Sequence, residues 1–245
     1  MQRLQRAVRA ALDVVRDPEL DEAITDLGFV AAVEVDGGAV TVRLRLPTYF
    51  CAPNFAWLMV ADARHAVTAV PGVTAVDVLL EDHFASDEIN AGVAGDAGFQ
   101  GTFPGLATAD LSDLRHTFRR KAYLARQHRL ITALRQAGVP RGALCALRLR
   151  DLEPGPETAV YVQRRAELGL PVDGDAPVVL TADGQAVAPQ DLDAHLARIR
   201  TVDVSIEGNA GFCRGLLATR YPDHEPREDL RDHRGDPGEM RKEPA

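Results

Sequence analysis

Cysteine is scarce in this chain: three residues, at positions 51, 145 and 213, with no CxxC spacing among them. An odd, widely spaced set excludes a disulfide scaffold and a self-contained four-cysteine site, and it fits a reducing cytoplasm. No run of about 18 apolar residues occurs, so a membrane-spanning helix is not expected. The N-terminus, MQRLQRAVRAALDVVRDPEL, mixes Arg and Asp among its apolar residues and lacks a signal-peptide core, so export is not expected either. Aromatic residues make up 5% of the chain and the net charge is -8, which together argue against general nucleic-acid binding. What remains, 46% hydrophobic and 26% charged over 245 residues, is the composition of one or two globular domains.

The charge is unevenly spread. Residues 1–109 carry 7 basic against 15 acidic side chains, residues 110–221 carry 16 against 13, and residues 222–245 carry 5 against 8. The change of sign coincides with a Gly-rich stretch at 90–105. This predicts a domain over 1–90, a flexible linker over 91–109, a second domain over 110–221 and a disordered tail over 222–245 with almost no apolar side chains.

In the first region Leu4, Val8, Ala11, Leu12 and Val15 recur at helical steps, predicting a helix that ends near Arg16, before Pro18. Apolar and polar residues then alternate on both sides of Asp36-Gly37-Gly38, predicting two antiparallel strands joined by a tight turn. Pro53 opens a second helical stripe (Phe55, Leu58, Met59, Ala63, Ala66, Val67, Val70), Pro71-Gly72 ends it, and VTAVDVLLED reads as a third strand. The fold class is α+β: a small α-β-β-α-β sandwich with a three-stranded sheet, followed by a second mixed α/β domain. In the second domain the pattern predicts a long helix over 111–138, a helix over 158–168, a hairpin turning at Asp183-Gly184, a helix over 189–200, a strand at TVDVSIE (201–207), and a Gly-containing loop leading into a short helix.

Three short stretches stand out as chemistry: Asp17-Pro18-Glu19-Leu20, Asp26-Leu27-Gly28-Phe29-Val30, and Pro47-Thr48-Tyr49-Phe50-Cys51-Ala52-Pro53. Cys51 precedes a helix start, where backbone N–H groups and the helix dipole favour a thiolate, so it reads as a nucleophile or soft-metal ligand. The plainer reading makes Asp17 and Asp26 turn caps and Cys51 a small apolar filler. His83, after the third strand and among Glu81, Asp82, Asp87 and Glu88, could add a nitrogen ligand or be a solvated loop residue. Cys213, near an expected helix start and beside Arg214, should have a lowered pKa and could add a second sulfur ligand if the domains fold over each other. Cys145 reads as core. Ten basic residues and no acidic one lie between Asp113 and Asp151, including Arg115, Arg119, Arg120, Lys121, Arg126, Arg129 and Arg135. They form a solvated helix face, or a docking surface for an acidic partner or for the acidic first domain itself.

The order of the three stretches resembles the iron-sulfur cluster assembly domain family over about residues 5–90. That family shows a helix ending in D-P-E, then D-L-G-x-V leading into a strand, then a Thr-containing loop with Cys-Pro at the next helix. The Pro47-Thr48-Tyr49 loop is closest to the PaaD-like branch and is related to SufT-like factors. In the family's register Ala52 stands at the usual cysteine position and Cys51 one residue earlier. The resemblance implies a non-enzymatic assembly or maturation factor with a transiently held iron-sulfur cluster or iron. Cys51, Asp17, Glu19, Asp26 and Thr48 are then the cofactor-binding candidates, and Cys51, His83 and Cys213 the metal ligands. It further implies a client metalloprotein, such as a multicomponent oxygenase with a diiron site. The competing readings are a metal-free chaperone-like adaptor and, lacking a triad or oxyanion signature, a thiol enzyme using Cys51 with His83.

Overall fold

The apolar stripe of the first turns forms helix α1 (Gln2–Leu12), which buries Val8 and Leu12 in a computed structural model that describes residues 2–107 and 109–222. The helix stops four residues earlier than its sequence suggests. Arg16 already bridges to Ala23, because the Asp17 carboxylate draws the backbone N–H groups of Glu19 (2.8 Å) and Leu20 (2.9 Å) into a competing turn. The chain then climbs through Gly28, whose φ of 77° few other residues adopt, into β1 (Val30–Asp36).

β1 pairs antiparallel with β2 (Ala39–Arg45) through the Asp36–Gly37–Gly38 turn, and β2 pairs parallel with β3 (Ala75–Glu81). A parallel neighbour requires a long crossover, supplied by α2 (Pro53–Thr68), which lays Ala56, Met59, Val60, Ala63 and Val67 on the sheet. The sheet order is β1-β2-β3, and the α-β-β-α-β frame is the one the sequence predicts.

The Gly-rich stretch is not an unstructured connection. It carries α3 (Ser86–Ala94) and α4 (Gly98–Thr102), turned on Asp96 and Gly98, both at positive φ. Asn90 on α3 accepts the N–H of Leu80 (2.8 Å) and donates to its carbonyl (3.1 Å), tying the helix to β3.

The second region holds α5 (Ser112–Gln136), α6 (Pro156–Glu167) and α7 (Leu192–Arg220) around its own core of Tyr123, Leu130, Ile131, Leu144, Tyr161, Val178, Val179 and Ile199. Here the strand expectation is corrected: among the described residues from 109 to 222 there are only isolated bridges, one of them, Leu180 to Ala186, standing where the hairpin at Asp183-Gly184 was expected. Residues 201–207, predicted as a strand, lie inside α7, as do the glycines that read as a loop. The alternation of Val202, Val204 and Ile206 suggested period two, yet Ile199, Asp203, Ile206 and Ala210 are the buried positions, at steps of four, three and four. Asp203 is held there by His128 (2.7 Å) and Arg129 (2.8 Å) of α5, so tertiary pairing overrides local preference. The predicted disordered tail lies outside the described residues, except for Pro222.

The two regions are not separated by the 91–109 stretch. α7 returns to the first, where Ala210 and Leu217 join its core and Cys213 and Tyr221 pack against it. The basic run finds acids there too: Arg115 forks onto Asp62 (2.7 and 3.0 Å) and Arg126 meets Asp21 (2.8 Å); outside the run, Arg214 of α7 meets Glu22. Of the readings for the run, docking on the acidic first region describes Arg115 and Arg126, while Arg120 and Arg129 pair within the second region.

Candidate functional site

Cys51 sits two residues before the first residue of α2, partly open, in a loop shaped by Thr48. The Thr48 hydroxyl accepts the Phe50 N–H (3.2 Å) and lies 3.3 Å from the Cys51 sulfur, which leaves its own proton free to be donated to sulfur. His83, after β3, braces this loop from below. It is 3% exposed, its Nδ1 accepts the Ala85 N–H (3.2 Å), and its Nε2 therefore donates to the Cys51 carbonyl (2.7 Å). Both nitrogens are engaged, so in this arrangement His83 offers no lone pair to a metal. Burial lowers its pKa, which keeps it neutral and in that bracing role.

Cys213, on α7, packs against the first core. The expectation of a lowered pKa is corrected. Cys213 lies well inside a 29-residue helix, not at a helix start. Burial, aided by the carboxylates, pushes its thiol up to about 11 despite Arg214. Cys145 packs against the second core.

Asp17 is an organiser of the 17–22 turn: buried, it accepts two N–H bonds and its own N–H reaches the Glu22 carbonyl (3.0 Å). Burial raises its carboxyl to about 6, against the lowering effect of the Leu20 and Glu19 N–H groups, with the charges of Glu19 and Glu22 adding to the rise. The folded state therefore holds this proton more tightly than the unfolded chain. The associated stability is complete below pH 4 and lost as pH rises through 6, about 3 kcal/mol over the span. Asp17→Asn, neutral throughout, should flatten the stability curve between pH 4 and 7 in urea titrations; an unchanged slope would place the titration elsewhere. Glu19 is contacted by Asn209 of α7 (3.4 Å), while Asp26 lies exposed on the far part of the turn.

Helix α7 thus runs past both candidate segments: Asn209 and Arg214 reach Glu19 and Glu22 of the α1–β1 turn, and Arg220 donates to the Leu46 carbonyl (3.1 Å) just before the Thr48–Cys51 loop. Thiols are the donors a thiophilic cargo would take, and both Cys51 and Cys213 are partly buried against the first core. Among the described residues, no group of three or more His, Cys, Asp or Glu side chains closes around a metal position. Beside Cys51 lies a feature the sequence reading passed over: Tyr49, Phe50 and Phe84 are 48%, 77% and 47% exposed, with ring centroids 5.0 to 6.3 Å apart. Its signal was the adjacency of two aromatics to Cys51 and one to His83. Asp21, 6% exposed, was passed over as well; it holds Arg126 and Arg164 (2.7 Å).

No helix among the described residues is long and apolar enough to cross a membrane. The family whose description is iron-sulfur cluster assembly protein matches residues 5–78, the segment from α1 through most of β3. A relative from Methanocaldococcus jannaschii, itself an uncharacterized protein, is 36% identical over 81 residues, which cover 33% of this chain and 83% of that relative. No solved structure matches the chain. The matched segment supplies Asp17, Thr48 and Cys51 but neither His83 nor Cys213, and through it the chain belongs to the iron-sulfur cluster assembly protein family.

Proposed function

We propose that this protein carries iron-sulfur cargo to a client metalloprotein, with Cys51 and Cys213 as its two thiol contacts and Thr48 supporting the Cys51 sulfur. What supports this reading is the family match over residues 5–78, with the partly open Cys51 held beside Thr48 and Cys213 of α7 packed against the same core. Two contacts hold a cluster incompletely, and incomplete coordination leaves iron positions open to a receiver. The protein acts here as a carrier and not as an enzyme. The client, on the PaaD-like character of the 47–53 loop, is a metalloenzyme of the multicomponent oxygenase type, met in the cytoplasm.

Anaerobic loading with ferrous iron and sulfide, followed by transfer to an apo-ferredoxin, tests the reading. Wild type should retain iron and acid-labile sulfide and pass them on. Cys51→Ser should lower both at least tenfold with an unchanged melting temperature, because a hydroxyl is a harder and poorer ligand for iron-sulfur centres. Equal transfer by Cys51→Ser would remove the carrier reading. The exposed aromatic group at 49, 50 and 84 would then favour a second reading, an adaptor that docks a client without metal.

A further inference from the structure

The loop that carries Cys51 is held by donors from beyond the matched segment 5–78. Its Leu46 carbonyl accepts Arg220 Nη1 (3.1 Å), its Tyr49 carbonyl accepts the Phe84 N–H (3.1 Å), and its Cys51 carbonyl accepts His83 Nε2 (2.7 Å). Through Nη2 the same Arg220 donates to the Asp82 carbonyl, and the Tyr221 hydroxyl donates to the Asp82 carboxylate (3.0 Å). Arg220 therefore bridges the residue that enters the Cys51 loop and the residue that enters the His83–Phe84 segment bracing it. A guanidinium suits this place, because its rigid fork aims two N–H groups at two acceptors at once. Asp82 holds a φ of 52°, a conformation that depends on such surroundings. The Tyr221 ring backs the bridge, with the Arg220 guanidinium 5.2 Å and the Arg45 guanidinium 5.0 Å from its centroid.

Resting on the carrier reading above for its purpose alone, we propose that the C-terminal end of α7 is a clasp on the Cys51 loop, with Arg220 as its positioning residue, and that opening the clasp exposes the thiol. Tyr49 and Phe50, within the loop, are 48% and 77% exposed, so little buried surface opposes a local opening. α7 is a single helix of 29 residues, roughly 43 Å long. Its Leu192 and Ile199 lie in the second core and its Ala210 and Leu217 in the first. A shift of the second region thus reaches the Leu46 and Asp82 carbonyls through one rigid element, which gives that region control over when Cys51 is presented.

The test alkylates the full, unloaded chain with iodoacetamide under reducing conditions and follows each cysteine by peptide mass spectrometry. Arg220→Ala should raise the rate at Cys51 by about fivefold or more and speed amide hydrogen exchange over 49–51 and 82–84, while Cys145, packed against the second core, keeps its rate. Tyr221→Phe removes only the hydroxyl donation to Asp82 and should raise the Cys51 rate by about twofold, which carries the test should Arg220→Ala fold poorly. A Cys51 rate unchanged in both variants overturns the inference, as does a rise shared equally by Cys145, which marks general loosening; either leaves the carrier reading standing. Wild type that takes up no iron and sulfide on loading removes the carrier reading and leaves the clasp, which the alkylation rates report without any cargo.

Discussion

Replacing Asp21 by alanine is expected to destabilise the protein by about 3 to 5 kcal/mol, the cost of stranding a buried cation. Asp21 lies in the turn between α1 and β1, 6% exposed, and its carboxylate receives Arg126 of α5 at 2.8 Å. Arg164 of α6, 3% exposed, approaches at 2.7 Å but off the hydrogen-bond line, so its contact is electrostatic. Arg16 and Arg126 also donate to the Asp21 carbonyl, at 2.6 and 3.0 Å. Removing the carboxylate leaves Arg164 with Glu167 as its one remaining ion-pair partner among the described residues and loosens two helices from the turn. Alanine would further have to hold the φ of 52° that Asp21 adopts. Asp21→Asn tolerates that conformation and keeps one acceptor, so its loss should be smaller. Urea unfolding of the three proteins checks the ranking. Because the same turn carries Asp17 and Glu19, Asp21→Ala should also weaken cargo retention while leaving both thiols in place, and equal stability of all three proteins would show that the cluster of arginines is incidental.

Gly92→Val is expected to cost about 3 kcal/mol, the upper end for overpacking. A Cβ at position 92 would lie 2.1 Å from the Thr102 hydroxyl oxygen and 2.7 Å from its Cβ and Cγ2. Thr102 cannot easily yield: it accepts the Trp57 indole N–H (3.0 Å) and donates to the Gly98 carbonyl (2.7 Å). At roughly 2 to 4 °C per kcal/mol for a chain of this size, the melting temperature should fall by about 6 to 12 °C. An unchanged midpoint would mean that α4 moves away at no cost.

That glycine also explains why part of the fold was hidden in the sequence. Gly92 reads as a linker residue until Thr102 is seen packed on it, since closeness between helices leaves no mark in composition. The first region was legible because its signals are local: the Asp36-Gly37 turn, Pro53 at a helix start, and alternation that agrees with burial at Val40, Val42 and Leu44. In α7 the same alternation misled, because Asp203 is carried inward by pairing with His128 and Arg129, residues more than 70 positions away. The candidate site divides in the same way. Thr48, Cys51 and Asp17 announce themselves by loop chemistry, whereas the approach of Cys213 depends on where a long helix ends up. Asp21 left one faint signal, the excess of acid in the first region against the run of arginines after Asp113.

The proposed carrier role needs Cys51 and Cys213 within reach of one cargo, and a trivalent arsenical that bridges paired thiols tests that without any cluster. Treated with stoichiometric phenylarsine oxide under reducing conditions, the wild-type monomer should lose two free thiols per arsenic. Peptide mapping by mass spectrometry should join Cys51 to Cys213, with Cys145 still free, and Cys213→Ser should abolish the bridge. An arsenical that finds no thiol pair, or a pair that includes Cys145, would contradict the account.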